Sequence, residues 1–186
     1  MFHRSERLFL RPVFYEDWEA IHGAIANEAT VRNLATAPWP YREQDAKDYV
    51  ALERQPHLPN FSVILPGSGL IGQAGMGIDE ETGKVQIGYW LSKEYRGHGF
   101  ATEAAQTVVR IARLLGHKHL TASHFLDNPA SGRVLRKAGF RPTGVIRKGF
   151  SLARGGHDPV ACYELDLQED ASGGMDDDPN PLARVA

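Results

Sequence analysis

The chain has 186 residues, 42% hydrophobic and 24% charged, with 21 Lys and Arg against 23 Asp and Glu for a net charge of −2. That length suits one sizeable core rather than several domains, and the charge lacks both the positive excess of a nucleic-acid binder and the acidity of a disordered chain. Charge, Gly or Pro interrupts the apolar runs before the roughly 18 residues that span a bilayer, and Met1 to Arg7 carry no apolar stretch behind their basic groups. The single cysteine, Cys162, excludes an internal disulfide and a cysteine zinc site. A soluble, cytoplasmic protein with no membrane or nucleic-acid partner is expected.

Residues 8–12 read as a short apolar strand, and behind Asp17 the residues Trp18, Ile21, Ala24 and Ile25 fall at helical spacing. Pro38 and Pro40 break the helical pattern, which Ala46, Tyr49 and Val50 resume as far as about Arg54. Two or three helices therefore precede the main sheet. Residues 61–65 and 70–74 flank Pro66-Gly67-Ser68-Gly69, a turn of hairpin length, and Glu80-Glu81-Thr82-Gly83 leads to a third strand over 85–91. These three make an antiparallel meander. Ala101, Ala104, Ala105, Val108, Ala112 and Leu115 then line one face of a long helix that Gly116 can end, with Glu103, Gln106, Arg110 and Arg113 on its polar face.

A strand over 120–125 precedes a helix with Asn128 as N-cap, Pro129 as first residue and Gly139 past its end, where Phe140 can reach back to Leu135. Strands over about 143–152 and 159–167 flank 153–158 as a last hairpin. The domain is expected to occupy residues 1–167. The tail 168–186 holds Asp176-Asp177-Asp178 and few apolar residues, and is expected to be disordered. Its five acidic residues and one basic residue leave 20 basic and 18 acidic in the body, a net of +2.

Tyr95-Arg96-Gly97-His98-Gly99-Phe100-Ala101-Thr102 lies between a predicted strand and a predicted helix, so its backbone N–H groups and the positive helix end can converge on an anion. No Gly-Lys-Ser/Thr follows, which excludes the Walker pattern, and Thr102 stands where a dinucleotide motif has its third glycine. A tight strand-to-helix turn without a ligand is the plain alternative.

Arg96-x-x-Gly99-x-Ala101 matches the Gln/Arg-x-x-Gly-x-Gly/Ala signature of the GCN5-related N-acetyltransferases, the GNAT family. Asn128-Pro129-Ala130-Ser131, followed by Val134, Leu135, Lys137, Gly139 and Phe140, resembles that family's second cofactor segment. Glu6-Arg7-Leu8-x-Leu10-Arg11-Pro12, with the Asn-x-x-Ser pattern, is similar to the branch of ribosomal-protein N-acetyltransferases (RimJ/RimL-like). The likeness spans about residues 5–167. It implies an α/β fold with a mixed, mostly antiparallel central sheet, splayed middle strands and flanking helices, and transfer of acetyl from acetyl-CoA to a primary amine with no metal. It implies a cofactor site of Trp90, Leu91, Arg96, Gly97, His98, Gly99, Phe100, Ala101, Thr102, Asn128 and Ser131. In it the amides of 97–102 hold the pyrophosphate, the strand ending at Trp90-Leu91 pairs with the pantetheine arm, and the Leu91 N–H bonds the thioester oxygen. Arg96 either adds charge near a phosphate or is a solvated loop arginine, and Asn128 caps its helix and touches the cofactor.

Many family members place a tyrosine one turn into the helix after the Asn, as the acid that protonates the departing thiolate. Leu135 occupies that position here, and the branch resemblance implies Ser131 as the general acid instead; a first-turn serine bonding local backbone is the alternative. His124, at the end of the second splayed strand, is a candidate base by virtue of an ordinary pKa of about 6.5, or a histidine satisfied by nearby backbone. Glu28 and Glu164 are weaker candidates. An α-amine has a pKa of about 8 and a lysine side chain about 10.4, so a site without a strong base favours a protein or peptide N-terminus. Small-molecule amines such as polyamines or antibiotics, a non-catalytic CoA-binding relative, and a nucleotide-binding module using the same loop are the alternatives. His22, His57, His117 and His119 lack metal-ligand spacing. Trp39 and Tyr41 line an acceptor pocket or pack in the core, and dimerisation is left open.

Overall fold

A computed structural model describes residues 1–168, and the expected acidic tail past Gln168 lies outside the described residues. Eight strands form one open sheet: β1 (His3–Arg4), β2 (Phe9–Pro12), β3 (Asn60–Leu65), β4 (Gly69–Ile78), β5 (Val85–Leu91), β6 (His119–Phe125), β7 (Arg141–Ser151) and β8 (Gly156–Asp166). Their order across the sheet is β1-β2-β3-β4-β5-β6-β8-β7. Every neighbouring pair is antiparallel except β5 and β6, which are parallel and registered at Gln86↔Thr121 alone. Above that point the two central strands diverge towards Leu91 and Phe125. The expected splay is therefore present.

Five α-helices accompany the sheet among the described residues: α1 (Trp18–Ile25), α2 (Glu28–Val31), α3 (Glu43–Ala51), α4 (Phe100–Leu114) and α5 (Pro129–Lys137). The buried face of α4, with Ala104, Ala105, Val108, Ile111 and Ala112, shares one core with Ile71, Met76, Ile87, Leu91, Leu120 and Leu135. Side chains this completely enclosed contribute about 1.5–3 kcal/mol each for the larger aliphatics. A second, smaller core of Ile25, Val31, Tyr41 and Ala46 lies under α1 to α3 and receives Trp90 from β5. Tyr41 belongs to that packing, whereas Trp39 is 40% exposed.

Both long helix endings follow their glycines. Gly116 (φ 83°) and Gly139 (φ 98°) adopt the left-handed conformation. The His117 N–H donates to Ala112 O and the Phe140 N–H to Leu135 O, each at 3.0 Å, the six-to-one bonds of a Schellman ending. The N-terminus of α5 departs from expectation: Asn128 occupies the cap position, yet its side chain makes no cap hydrogen bond. Other departures are in the boundaries. β4 runs on to Ile78, beyond the expected 70–74, and β7 begins at Arg141. The last hairpin tightens to one 3-10 turn, Leu152–Arg154, with Gly155 at φ 71°, so β8 starts at Gly156.

That turn is tied to the helical side. The Arg154 side chain is 6% exposed and donates to Arg32 O at 2.6 Å, to the Asp127 carboxylate at 2.8 and 3.0 Å, and to Asp158 at 2.8 Å. Its guanidinium lies 3.9 Å from the centre of the Phe125 ring. Leu152 N–H also donates to Ala35 O at 2.9 Å. On the opposite bank Arg96 donates to the Thr30 hydroxyl and to Leu91 O. Residues 30–35 therefore bridge the two strands that the sheet leaves apart.

Candidate active site

The ends of β5 and β6, the loop entering α4 and the first turn of α5 converge at the splay. The Ser92 N–H donates to Ile71 O at 2.9 Å, which sets the ladder between β5 and β4. Residues of an antiparallel pair alternate in bonding towards and away from their partner. Trp90 and Gln73 are thus a hydrogen-bonded pair, and Leu91 and Tyr89 turn their N–H and C=O away from β4, towards the diverging β6. Arg96 Nε takes the Leu91 carbonyl at 3.1 Å, and the Leu91 N–H faces the gap. Of the two residues expected to meet the cofactor arm, Trp90 directs its backbone to β4 and its indole to Gln73 Oε1 at 3.3 Å, on the opposite face. Tyr89, which the sequence did not single out, shares the orientation of Leu91. Period-two spacing from Leu91 is the signal that points to it.

The loop is built for backbone presentation. Gly97 (φ 82°) and Gly99 (φ 83°) take left-handed conformations open to glycine at little cost. Gly99 is the N-cap of α4 and supplies no side-chain cap, so the amides of Phe100, Ala101 and Thr102 emerge at the positive end of a 15-residue helix without one. A Cβ on Gly97 would meet nothing within 4 Å, so that side of the loop is open. The His98 ring stacks on Phe100 with centroids 5.9 Å apart, and its carbonyl accepts from Arg7 at 3.0 Å. Arg96 is held at the mouth of the splay by Leu91 O and Thr30 rather than standing free in the loop, and burial pulls its pKa down.

Across the gap, Tyr89 Oη lies 2.9 Å from Ser131 Oγ and 3.1 Å from Ser131 O. Burial pushes the Tyr89 phenol up to about 12, so it stays protonated at neutral pH. A phenol has one proton. When it goes to Ser131 Oγ, the serine proton is freed towards the gap.

His124 lies beneath α5, with Nδ1 2.8 Å from Phe125 O and Nε2 3.3 Å from Tyr163 Oη, which accepts from Arg136 at 3.1 Å. Gly132 makes room for this, since a Cβ there would come within 2.5 Å of His124 Nε2. Both ring nitrogens are engaged, the alternative the sequence left open. Glu164 pairs with His119 at 3.7 Å beside Thr121, where β5 and β6 still meet, and Glu28 opens α2. Among the described residues no group of three or more His, Cys, Asp or Glu side chains could hold a metal ion, and no helix is long and apolar enough to cross a membrane. A groove of about 690 Å³, lined in part by Arg110, Lys137 and Glu164, lies between the C-terminal halves of α4 and α5, at the opposite end from the loop.

Comparison with known proteins agrees with this fold. The model of a family described as an acetyltransferase (GNAT) domain matches residues 7–141. The chain is 29% identical over 150 residues to YoaA, an uncharacterised N-acetyltransferase of Bacillus subtilis (strain 168), covering 77% of this chain and 85% of that protein. A GNAT-family acetyltransferase from Bacillus anthracis superposes with a TM-score of 0.75 at 26% identity, over 89% of this chain and 98% of the other. RimL, a ribosomal L7/L12 α-N-protein acetyltransferase solved with coenzyme A, shares the fold with a TM-score of 0.73 at 20% identity, over 89% of this chain and 98% of its own.

Proposed function

The chain belongs to the GNAT family and is an acetyl-CoA-dependent N-acetyltransferase, and from that premise we propose that its acceptor is the α-amine of a peptide or protein N-terminus. The observation that carries the acceptor class is the engagement of both His124 ring nitrogens, which leaves this candidate base without a free nitrogen to strip a proton. At pH 7 an amine of pKa about 8 is neutral roughly 230 times more often than one of pKa about 10.4, so such a site favours the α-amine. RimL, with the same fold, carries an α-N-protein acetyltransferase name, which supports the reading.

The residues present fit a thioester borne on a polyanion. The open left-handed loop and first amides of α4 would hold the pyrophosphate, and Leu91 N–H would bond the thioester oxygen as negative charge develops there. One donor so placed is worth about 2.7–4 kcal/mol in other enzymes. Acetyl-CoA, when bound, would supply an activated acyl carbon for direct attack by the neutral amine; as the N–C bond forms and the C–S bond breaks, the nitrogen would give up one proton and the departing thiolate take one up, leaving an amide and a free thiol. Ser131 would donate a hydrogen bond to that thiolate, aligned by Tyr89. His124 takes no proton in this scheme and supports α5 through Tyr163.

Because a thiol has a pKa of about 8.5, its thiolate leaves readily, and Ser131→Ala is expected to lower kcat by about tenfold, less than the usual span for general acids. KM for acetyl-CoA should stay within about twofold. Thiol release measured under saturating acetyl-CoA checks this, and an unchanged kcat removes Ser131 from the chemistry. For the acceptor, mass spectrometry of a panel of peptides with free or blocked N-termini, polyamines and aminoglycosides should find acetyl on free α-amines. Preferential transfer to lysine side chains or small amines overturns the acceptor class. Binding of acetyl-CoA with no transfer to a proteome-derived peptide library favours a non-catalytic role.

A further inference from the structure

Glu103 sits in the first turn of α4, beside the loop, where the sequence pattern places it on a solvent-facing stripe. A fixed negative charge there opposes a polyanion at the same helix end. Its side chain is instead only 12% exposed and is surrounded by donors from the N-terminal segment. Oε1 accepts from Ser5 Oγ at 2.6 Å, from Arg7 N–H at 2.7 Å and from Leu8 N–H at 3.2 Å, and Oε2 from Arg7 Nε at 2.8 Å. Burial works against the charge, but the bonds from Ser5 and Arg7 outweigh it and hold the carboxyl below the usual carboxylate range.

Arg7 makes a second contact. Its Nη1 donates to His98 O at 3.0 Å, its guanidinium lies 4.5 Å from the centre of the Phe100 ring, and its Nη2 is 3.3 Å from where a Cβ on Gly99 would stand. In a trans peptide the C=O and N–H point in opposite directions, so a His98 carbonyl drawn to Arg7 turns the Gly99 N–H to the other side of the loop. Arg7 thus stands behind the loop.

We propose that Arg7 is a positioning residue for the phosphate loop: it cancels the Glu103 charge at the helix end and fixes the outward direction of the Gly99 N–H, without itself touching the phosphates. The proposal rests on the reading of residues 97–102 as the acetyl-CoA loop. An ion pair whose guanidinium is 44% exposed adds little to stability on its own, so its consequence is to be sought in ligand affinity.

Calorimetry with CoA on the full chain tests it, with urea unfolding of each variant as a control. Arg7→Ala is expected to weaken CoA about tenfold and Arg7→Lys about threefold, because an ammonium restores the charge opposite Glu103 but not the guanidinium fork that also holds His98 O. Adding Glu103→Gln to Arg7→Ala should return affinity to within about threefold of wild type. KM for S-acetylpantetheine, which carries no phosphate, should be unchanged throughout. The proposal is overturned if Arg7→Ala binds normally, if Arg7→Lys binds like wild type, if Glu103→Gln gives no rescue, or if the acetylpantetheine KM rises in step. Gly99→Val separates the two levels. Normal CoA affinity in that variant removes the loop reading, whereas lost affinity there with normal affinity in Arg7→Ala removes only the role of Arg7.

Discussion

Gly99→Val is expected to weaken acetyl-CoA binding by at least about a hundredfold, the equivalent of losing one or two charge-assisted hydrogen bonds from the loop. At φ 83° a β-branched side chain is strained whatever room it has, and here the Cβ also arrives 3.3 Å from the Arg7 guanidinium. The backbone must rotate, and with it the amides that open α4. Since Gly99 is exposed, global stability should fall by only about 1–3 kcal/mol, the ordinary cost of such local strain. Calorimetry beside urea unfolding distinguishes this from general collapse: a folded Gly99→Val protein with wild-type affinity would put the phosphates elsewhere.

Gly72→Ala should be the most damaging single methyl in the sheet. Its Cβ would stand 2.2 Å from Trp90 O and 2.9 Å from Leu91 Cα, both backbone atoms that cannot turn aside. Relief requires β4 and β5 to part at Gly72↔Leu91, the point where the Leu91 N–H faces the gap. Overpacking with backbone displacement on this scale is expected to cost about 3 kcal/mol or more, read as a fall in the urea midpoint. In the fraction that remains folded, kcat should drop by about a hundredfold, the loss seen when an oxyanion donor is removed. Wild-type kcat in folded Gly72→Ala would separate Leu91 from the reaction.

What the sequence made legible was local. The glycine endings of α4 and α5 and the strand-loop-helix around Gly97 and Gly99 depend on residues within a few positions of one another, and the structure has them. The splay of β5 and β6 came only through family likeness, since no residue pattern announces where a parallel pair separates. What escaped was long-range or one residue out of phase. Tyr89 meets Ser131 across 42 residues and Arg7 meets Glu103 across 96, and neither pairing leaves a periodic trace. Glu103 belongs to the polar stripe of α4 by spacing, and is covered because the N-terminal segment folds over it. Trp90 was expected at the cofactor arm beside Leu91, yet alternation in the ladder turns its backbone to β4 while Leu91 faces the gap. At four residues, α2 is too short to show a helical period.

The most direct test of a cofactor seated on the α4 loop with its thioester at the splay is a backbone-amide NMR titration with CoA and acetyl-CoA. The expected result is large shifts at Gly97, Gly99 and the first amides of α4 with either ligand, and a further shift at Leu91 that depends on the acetyl group. Shifts confined to the groove between Arg110 and Lys137, with the loop amides and Leu91 unmoved, would contradict the account.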